Sequence, residues 1–316
     1  MTTLHLVDEE QRTIVGSFAP FDRHKHGLVG LRSLMVDGLG ALLTPEPVDF
    51  DTTMVPGPAG AADIRVVIHR QEISQTPAPA ILYIHGGGMV AGTPEMMAGA
   101  HRRLSDDTGA FVFAPAYRLG PEHPYPAGVE DIYAALSWLH ANSHDLGIDP
   151  DRIAIMGDSG GGGIAAATAL LSRDRGQIPL KAQILLYPML DIRTGTADAP
   201  TDDPLTGEFV VNRDMIGFVW GLVRGDAILD ETDMGYLSPA LAKDLRALPR
   251  TIILTGALDL FRDEDIAYAQ RLMSSGVATD LFVHAGAVHG FDMLGGGLAE
   301  QARVNFIGSI RRVLSA

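Results

Sequence analysis

Ile153-Ala154-Ile155-Met156-Gly157-Asp158-Ser159-Gly160-Gly161 is an apolar run ending in G-x-S-x-G, and the small-residue stretch Gly162 to Leu171 follows it. Together they read as strand, tight turn and helix. Such a turn holds a serine on a strained elbow, its hydroxyl exposed and backbone N–H groups beside it. Flanking glycines suit a place where strand and helix cross too closely for side chains. The pentapeptide alone also arises in ordinary glycine- and serine-rich loops, so its surroundings decide the reading.

Upstream, the apolar run Ala80-Ile81-Leu82-Tyr83-Ile84 reads as a buried strand, and His85-Gly86-Gly87-Gly88 follows it. A glycine-rich loop at a strand end turns backbone N–H groups into a cleft. Acyl transfer needs such donors, because the attacked carbonyl oxygen becomes an oxyanion in the transition state. Three glycines by themselves are a flexible turn; paired with a serine elbow further along, they read as an oxyanion hole.

An acid and a base follow in chain order. Asp259 lies just beyond the β-like run Thr251-Ile252-Ile253-Leu254, and His289 beyond Leu281-Phe282-Val283. Each candidate therefore sits after a strand, at the carboxyl edge where open parallel sheets place their sites. The order Ser159, Asp259, His289 is the one expected when a serine elbow is completed by later strands. Asp263 and Asp265 are rival acids, but they fall where the next helix starts and read as its cap and first-turn charges. His284 is a rival base at the strand end, where a structural histidine is commoner.

With these motifs the chain resembles the hormone-sensitive-lipase-like esterases, the bacterial family IV branch of the α/β-hydrolase fold. The resemblance runs from about Pro56 to the C-terminus. It is carried by His85–Gly88 with Gly92, by Tyr117-Arg118-Leu119-Gly120-Pro121-Glu122-His123-Pro124, by Gly157–Gly161, by Leu258–Asp263 and by His289-Gly290-Phe291. Departures are Gly160 for the usual alanine, Leu260 for proline, Met89 for an aromatic residue and Ala116 for an acidic one. The resemblance implies a mostly parallel central sheet flanked by helices, with a small helical cap. It also implies a serine carboxylesterase that cleaves short- to medium-chain esters through an acyl-enzyme. Ser159 is then the nucleophile, His289 the base and Asp259 its orienting acid. Gly87, Gly88 and Gly160 are the matched oxyanion donors, and Gly86 shapes their loop. Met89, Met215 and Phe218 are expected on the substrate pocket wall. Asp158 is read as bracing the elbow, and Tyr117, Arg118 and Glu122 as a structural turn beside the site.

Composition agrees with an enzyme of this kind. The 316 residues suit one α/β domain with a small accessory cap, and 46% hydrophobic residues are ample for a core. A formal net charge of −15 disfavours nucleic acid and anionic membranes as partners, leaving a small-molecule ester. The absence of cysteine excludes disulfides, thiolate catalysis and cysteine metal sites. His140 and His144 have i, i+4 spacing but frame Ala-Asn-Ser rather than a metalloprotease motif, so neither metal nor cofactor is expected. Met1 to Glu10 shows no basic region followed by an apolar core, and no stretch is long enough to span a bilayer; the expectation is a cytoplasmic protein. Its oligomeric state is not readable, and a homo-oligomer is compatible.

The organisation expected is residues 1–50 as the N-terminal helical part of a cap and 51–316 as the catalytic domain, with 193–235 as a second cap segment. Leu28, Leu31, Leu34, Met35, Leu39 and Leu42 recur at near-helical spacing before Thr44-Pro45-Glu46-Pro47 breaks the pattern. Arg65 to His69 is expected to begin the sheet. Strand-like and helix-like runs then alternate, which predicts a mostly parallel sheet covered on both faces. From Arg193 the chain turns polar, and Asn212 is placed to cap a helix bearing Met215, Phe218, Val219 and Leu222. Gly160 to Ala165 also fits G-x-G-x-x-A, but it lies mid-chain and Leu180 stands where a dinucleotide site needs an acid. An amidase or peptidase on the same fold remains open. The plant gibberellin receptors resemble the same family without the catalytic histidine, and His289 argues for an enzyme over such a receptor.

Overall fold

The computed structural model describes residues 2–39, 48–71 and 77–315. Eight strands form one sheet in the order β1-β2-β4-β3-β5-β6-β7-β8. The strands are β1 (Asp51–Val55), β2 (Ile64–His69), β3 (Ala78–Ile84), β4 (Phe111–Pro115), β5 (Ile148–Asp158), β6 (Ala182–Leu186), β7 (Arg250–Gly256) and β8 (Thr279–His284). From β4 to β8 every pairing is parallel, while β2 runs antiparallel to both β1 and β4. The sheet begins at β1 rather than at Arg65. Asp-Thr-Thr-Met-Val is an exposed edge strand with little apolar content, so hydrophobic periodicity does not mark it.

The strands alternate between two cores. In β3, Ala80, Leu82 and Ile84 point into one apolar cluster while Ile81 and Tyr83 point into the other. Helices cover both faces, as parallel strands with buried faces require. They are α1 (Arg12–Ser17), α2 (Arg23–Ser33), α3 (Ala98–Thr108), α4 (Ala127–Ala141), α5 (Gly160–Arg175), α6 (Arg213–Arg224), α7 (Glu231–Leu237), α8 (Arg262–Ser274) and α9 (Gly296–Ser315). Ile132, Leu136 and Leu139 of α4 join the first cluster, whereas Phe306, Ile310 and Leu314 of α9 join the second. Burying each such side chain contributes about 1.5–3 kcal/mol.

Helix α5 is buried over its whole first three turns, from Gly160 to Ser172. Small residues allow this depth. A Cβ on Gly161 would lie 2.2 Å from Ile84 O and 2.4 Å from His85 O, so the helix can cross the end of β3 only with glycine there. The order reversal at β3, between β4 and β5, leaves a crevice at the carboxyl ends of these strands.

The N-terminal segment divides between the two faces. Val7 and Val15 are buried in the second cluster with residues of α3 and α9, while Phe21, Leu31 and Met35 are buried in the first. Helix α2 is interrupted at Gly27, where φ is 57°, and it continues as a π-helical turn over Leu34–Leu39. Leu42 and the expected break at Thr44–Pro47 lie outside the described residues. In the 193–235 segment, Asn212 caps α6 by accepting from Met215 N at 2.8 Å. Its Nδ2 donates to Phe21 O at 2.9 Å, which joins this segment to the approach of α2.

Candidate active site

Ser159 stands between the end of β5 and the start of α5 with φ 54° and ψ −123°, a conformation costly for any side chain. The surrounding backbone holds it. Ser159 N donates to Leu186 O at 2.9 Å, and Ser159 O accepts from Gly163 N at 3.1 Å and Met189 N at 3.0 Å. The strain lifts the hydroxyl clear of the helix, where Oγ donates to His289 Nε2 at 2.9 Å. His289 Nδ1 in turn donates to Asp259 Oδ2 at 2.8 Å. The other oxygen of Asp259 accepts from Phe261 N at 2.9 Å. Asp259 is 1% exposed and His289 6%, so the relay lies in a low-dielectric setting that strengthens each link. Phe261 and Tyr187 meet the imidazole edge-on at centroid distances of 5.2 and 4.7 Å, fixing its plane.

The glycine loop after β3 lies against the elbow. Gly86 N donates to Asp158 Oδ1 at 3.1 Å, and Tyr83 donates its hydroxyl to the same oxygen at 3.0 Å. Gly86, counted with the hole for shaping its loop, gives its own N–H to Asp158, so that N–H is not available to an oxyanion. Among the described residues, the N–H groups of Gly87, Gly88 and Gly160 meet no acceptor. Asp158 is buried, and burial pushes its carboxyl up to about 6; it braces loop against elbow. Arg118 forms an ion pair with the buried Asp131 at 2.7 Å, and Arg32 pairs with Glu122 at 2.6 Å while donating to Val90 O and Gly120 O. Tyr117 donates to His85 O at 2.9 Å. These residues of the expected turn hold the loop from outside.

The rival acids and base stand elsewhere. Asp263 and Asp265 are in the first turn of α8, and neither caps it. Asp265 is fully buried beside Thr255, and burial pushes its pKa well above the carboxylate range. His284 ends β8, and partial burial lowers its pKa.

Glu264, between them, is buried and ties α8 to the start of the 193–235 segment. It accepts from Leu190 N at 2.6 Å, from Asp191 N at 3.1 Å and from the Thr194 hydroxyl. Burial pushes its pKa from 4.5 up to about 8. The folded protein thus keeps a proton that the unfolded chain releases, and the stability this contributes is whole below about pH 4.5 and lost as pH rises through about 8. Glu264→Gln retains an acceptor for the two N–H groups. Calorimetry of variant and wild type is expected to show a Tm difference that moves in the variant's favour from about pH 6 to about pH 9. A difference independent of pH would show that Glu264 is already ionised in the fold.

A cavity of about 140 Å³ opens above Ser159 and His289. Met215 lines it, together with Met35, Met96, Met97 and Met293. Five flexible thioethers around the cavity make a surface that adapts to the shape of an apolar guest. Of the other expected wall residues, Met89 and Phe218 do not line it. At Met89 φ is 63°, and its side chain turns under the loop, with Cε 3.0 Å from where a Cβ on Gly163 would sit, beside a separate cavity of about 20 Å³. Phe218 is turned toward Phe21, stacked at 6.2 Å. Phe18, Leu34, Val210 and Leu294 were not foreseen on the wall. The pair Met96-Met97, just past the glycine loop, was the one available signal. Among the described residues no cluster of three or more metal-ligating side chains occurs, and no helix is long and apolar enough to cross a membrane.

Comparison with known proteins places the chain in a family and a fold. A family described as having the alpha/beta hydrolase fold matches residues 81–293, more than half of the chain. The carboxylesterase NlhH of Mycobacterium tuberculosis is 38% identical over 237 residues, covering 73% of this chain and 72% of that protein. Among solved structures, a bacterial heroin esterase superimposes with a TM-score of 0.89 at 32% identity, covering 99% of both chains. An esterase of Pyrobaculum calidifontis gives 0.85 at 30% identity, over 98% of this chain and all of that one.

Proposed function

The chain belongs to the α/β-hydrolase family, in its hormone-sensitive-lipase-like branch, and from that premise we propose that it is a serine carboxylesterase acting on small apolar esters. The observation that supports this most is the unbroken relay from Ser159 Oγ through His289 to Asp259, at 2.9 and 2.8 Å, on the floor of an apolar cavity. The hydrogen bond to Asp259 keeps the proton on Nδ1, so Nε2 is free to act as base. His289 takes the hydroxyl proton as Ser159 attacks the ester carbonyl. The oxyanion is received by the N–H groups of Gly87, Gly88 and Gly160. His289 then protonates the departing alcohol, leaving an acyl-Ser159 that a His289-activated water hydrolyses.

The cap in this reading comprises the N-terminal stretch from Phe18 onward and the segment around α6, since Phe18, Leu34, Met35 and Met215 all meet the cavity. Residues before Phe18 serve the opposite face of the sheet. Among the described residues the wall carries no Lys or Arg that would select an anionic acyl group, which favours neutral esters of about two to eight acyl carbons, the range implied by the family. A nitrophenyl ester series from acetate to palmitate tests the reading, and efficient palmitate hydrolysis would replace it with a true lipase. Met215→Phe adds a rigid ring to a packed wall, and the octanoate-to-butyrate ratio of kcat/KM is expected to fall about tenfold, within the discrimination of tightly packed methylenes. An unchanged ratio would remove Met215 from the acyl site. Met89→Trp, by contrast, is expected to leave that ratio unchanged, because Met89 points into the smaller cavity.

A further inference from the structure

The turn that carries His289, between β8 and α9, is rich in glycine. Gly290, Gly295 and Gly296 in it all have positive φ, at 70°, 73° and 86°, and glycine there gives the backbone little intrinsic restraint. Yet the same turn supplies Gly290, Met293 and Leu294 to the cavity, and Asp292, which accepts from the Tyr187 hydroxyl at 2.8 Å beside the imidazole. Besides its own backbone turns, it is held from the opposite end of the chain. Asp8 N donates to Gly286 O at 3.0 Å, and Glu10 accepts from Gly297 N at 2.6 Å. Between them Gln11, 1% exposed, donates from Nε2 to both Phe291 O and Gly295 O at 2.8 Å. Thr2 and Thr3 fasten this strap at its far end to Glu208.

We propose that Gln11 is a positioning residue for His289. This rests on the serine-esterase reading and deepens it. Gln11 precedes α1 but makes no capping bond, so its side chain does not serve its own helix. Its Oε1 has no partner among the described residues; what the site uses is the amide NH2, a donor that closes the turn across two carbonyls. Holding those carbonyls fixes the path of the backbone from His289 to Leu294. Nε2 of His289 must stay within hydrogen-bond reach of Ser159 Oγ, and small displacements of a reacting group cost large factors in rate.

The test uses Gln11→Glu, which keeps the shape but loses the donor, and Gln11→Met, an apolar near-isostere that serves if the first does not fold. For nitrophenyl butyrate, kcat is expected to fall at least about tenfold with KM within about twofold. The rate at which an organophosphonate labels Ser159 is expected to fall in parallel. Ile132→Ala, in the other core on α4, supplies a variant with equal or larger loss of Tm and is expected to keep kcat within about twofold of wild type. The low-field proton resonance of the His289–Asp259 hydrogen bond, present in wild type, is expected to broaden or vanish in the Gln11 variants. The proposal is overturned if the Gln11 variants keep wild-type kcat, if Ile132→Ala loses as much, or if the resonance is unaltered. Absence of ester turnover and of Ser159 labelling in wild type would instead defeat the esterase reading, leaving the resonance to decide the role of Gln11.

Discussion

Ser159→Ala and His289→Ala are each expected to lower kcat for a short nitrophenyl ester by about a million-fold, and the double variant by no more than either alone. The reason is that the two side chains act as one unit. Without the hydroxyl there is no nucleophile for His289 to activate. Without the imidazole, the 2.9 Å hydrogen bond that takes up the serine proton is gone. What is left is the background that a water molecule achieves with the oxyanion donors and binding alone, about 10³–10⁴-fold over solution. Ser159→Ala should fold normally despite the φ of 54°. Alanine carries the same Cβ as serine, so the elbow is no more strained than before. An organophosphonate is expected to label wild type at Ser159 and at no other serine. Turnover by Ser159→Ala within a hundredfold of wild type, or additive losses in the double variant, would contradict the assignment.

The second large effect is expected at Gly160. Alanine stands here in the resembled family, yet in this chain a Cβ would lie 2.8 Å from both Gly88 Cα and Met89 N and 2.9 Å from Gly88 C. All three are backbone atoms and cannot swing aside. The loop itself has little room to retreat, because Gly120 N holds Met89 O at 2.9 Å, Arg32 holds Val90 O at 2.8 Å and Val219 of α6 stands 3.0 Å from where a Cβ on Gly88 would sit. Gly160→Ala should therefore push Gly88 away from Ser159 and spoil the aim of at least one oxyanion donor. Loss of one such donor lowers kcat by about 100- to 1000-fold, and KM should change little because the ground-state ester barely uses it. Measuring kcat and KM beside Tm separates this from unfolding. A variant within about threefold of wild type would mean that the loop yields freely, and that its close approach does not govern the rate.

Several elements were legible because their chemistry is local. The alternation of apolar strand-like runs with helical ones gave the layered sheet, and β7 and β8 enclose the runs from which Asp259 and His289 were placed. Asn212 announced α6 because an N-cap acts on the residues just after it. The edge strand β1 escaped notice because exposed Asp and Thr carry no burial signal. Asp265 looked like a solvated first-turn charge, since helix position predicts charge at an N-terminus but says nothing of what packs above it.

The sequence by itself determined where the serine elbow, the glycine loop and the candidate acid and base stand and in what order they occur, because each depends on residue type at a strand end. Tertiary structure alone decided where the neighbouring side chains point. A positive φ accompanies the placing of Met89 beneath the loop and away from the cavity above Ser159, and one N–H of the glycine loop goes to Asp158. It also decided that the cavity is walled by methionines from four places in the chain, and that Gln11 reaches the turn of His289 across 280 residues of sequence. Such contacts come from how distant elements pack, and nothing in the local alternation of apolar and polar residues records them.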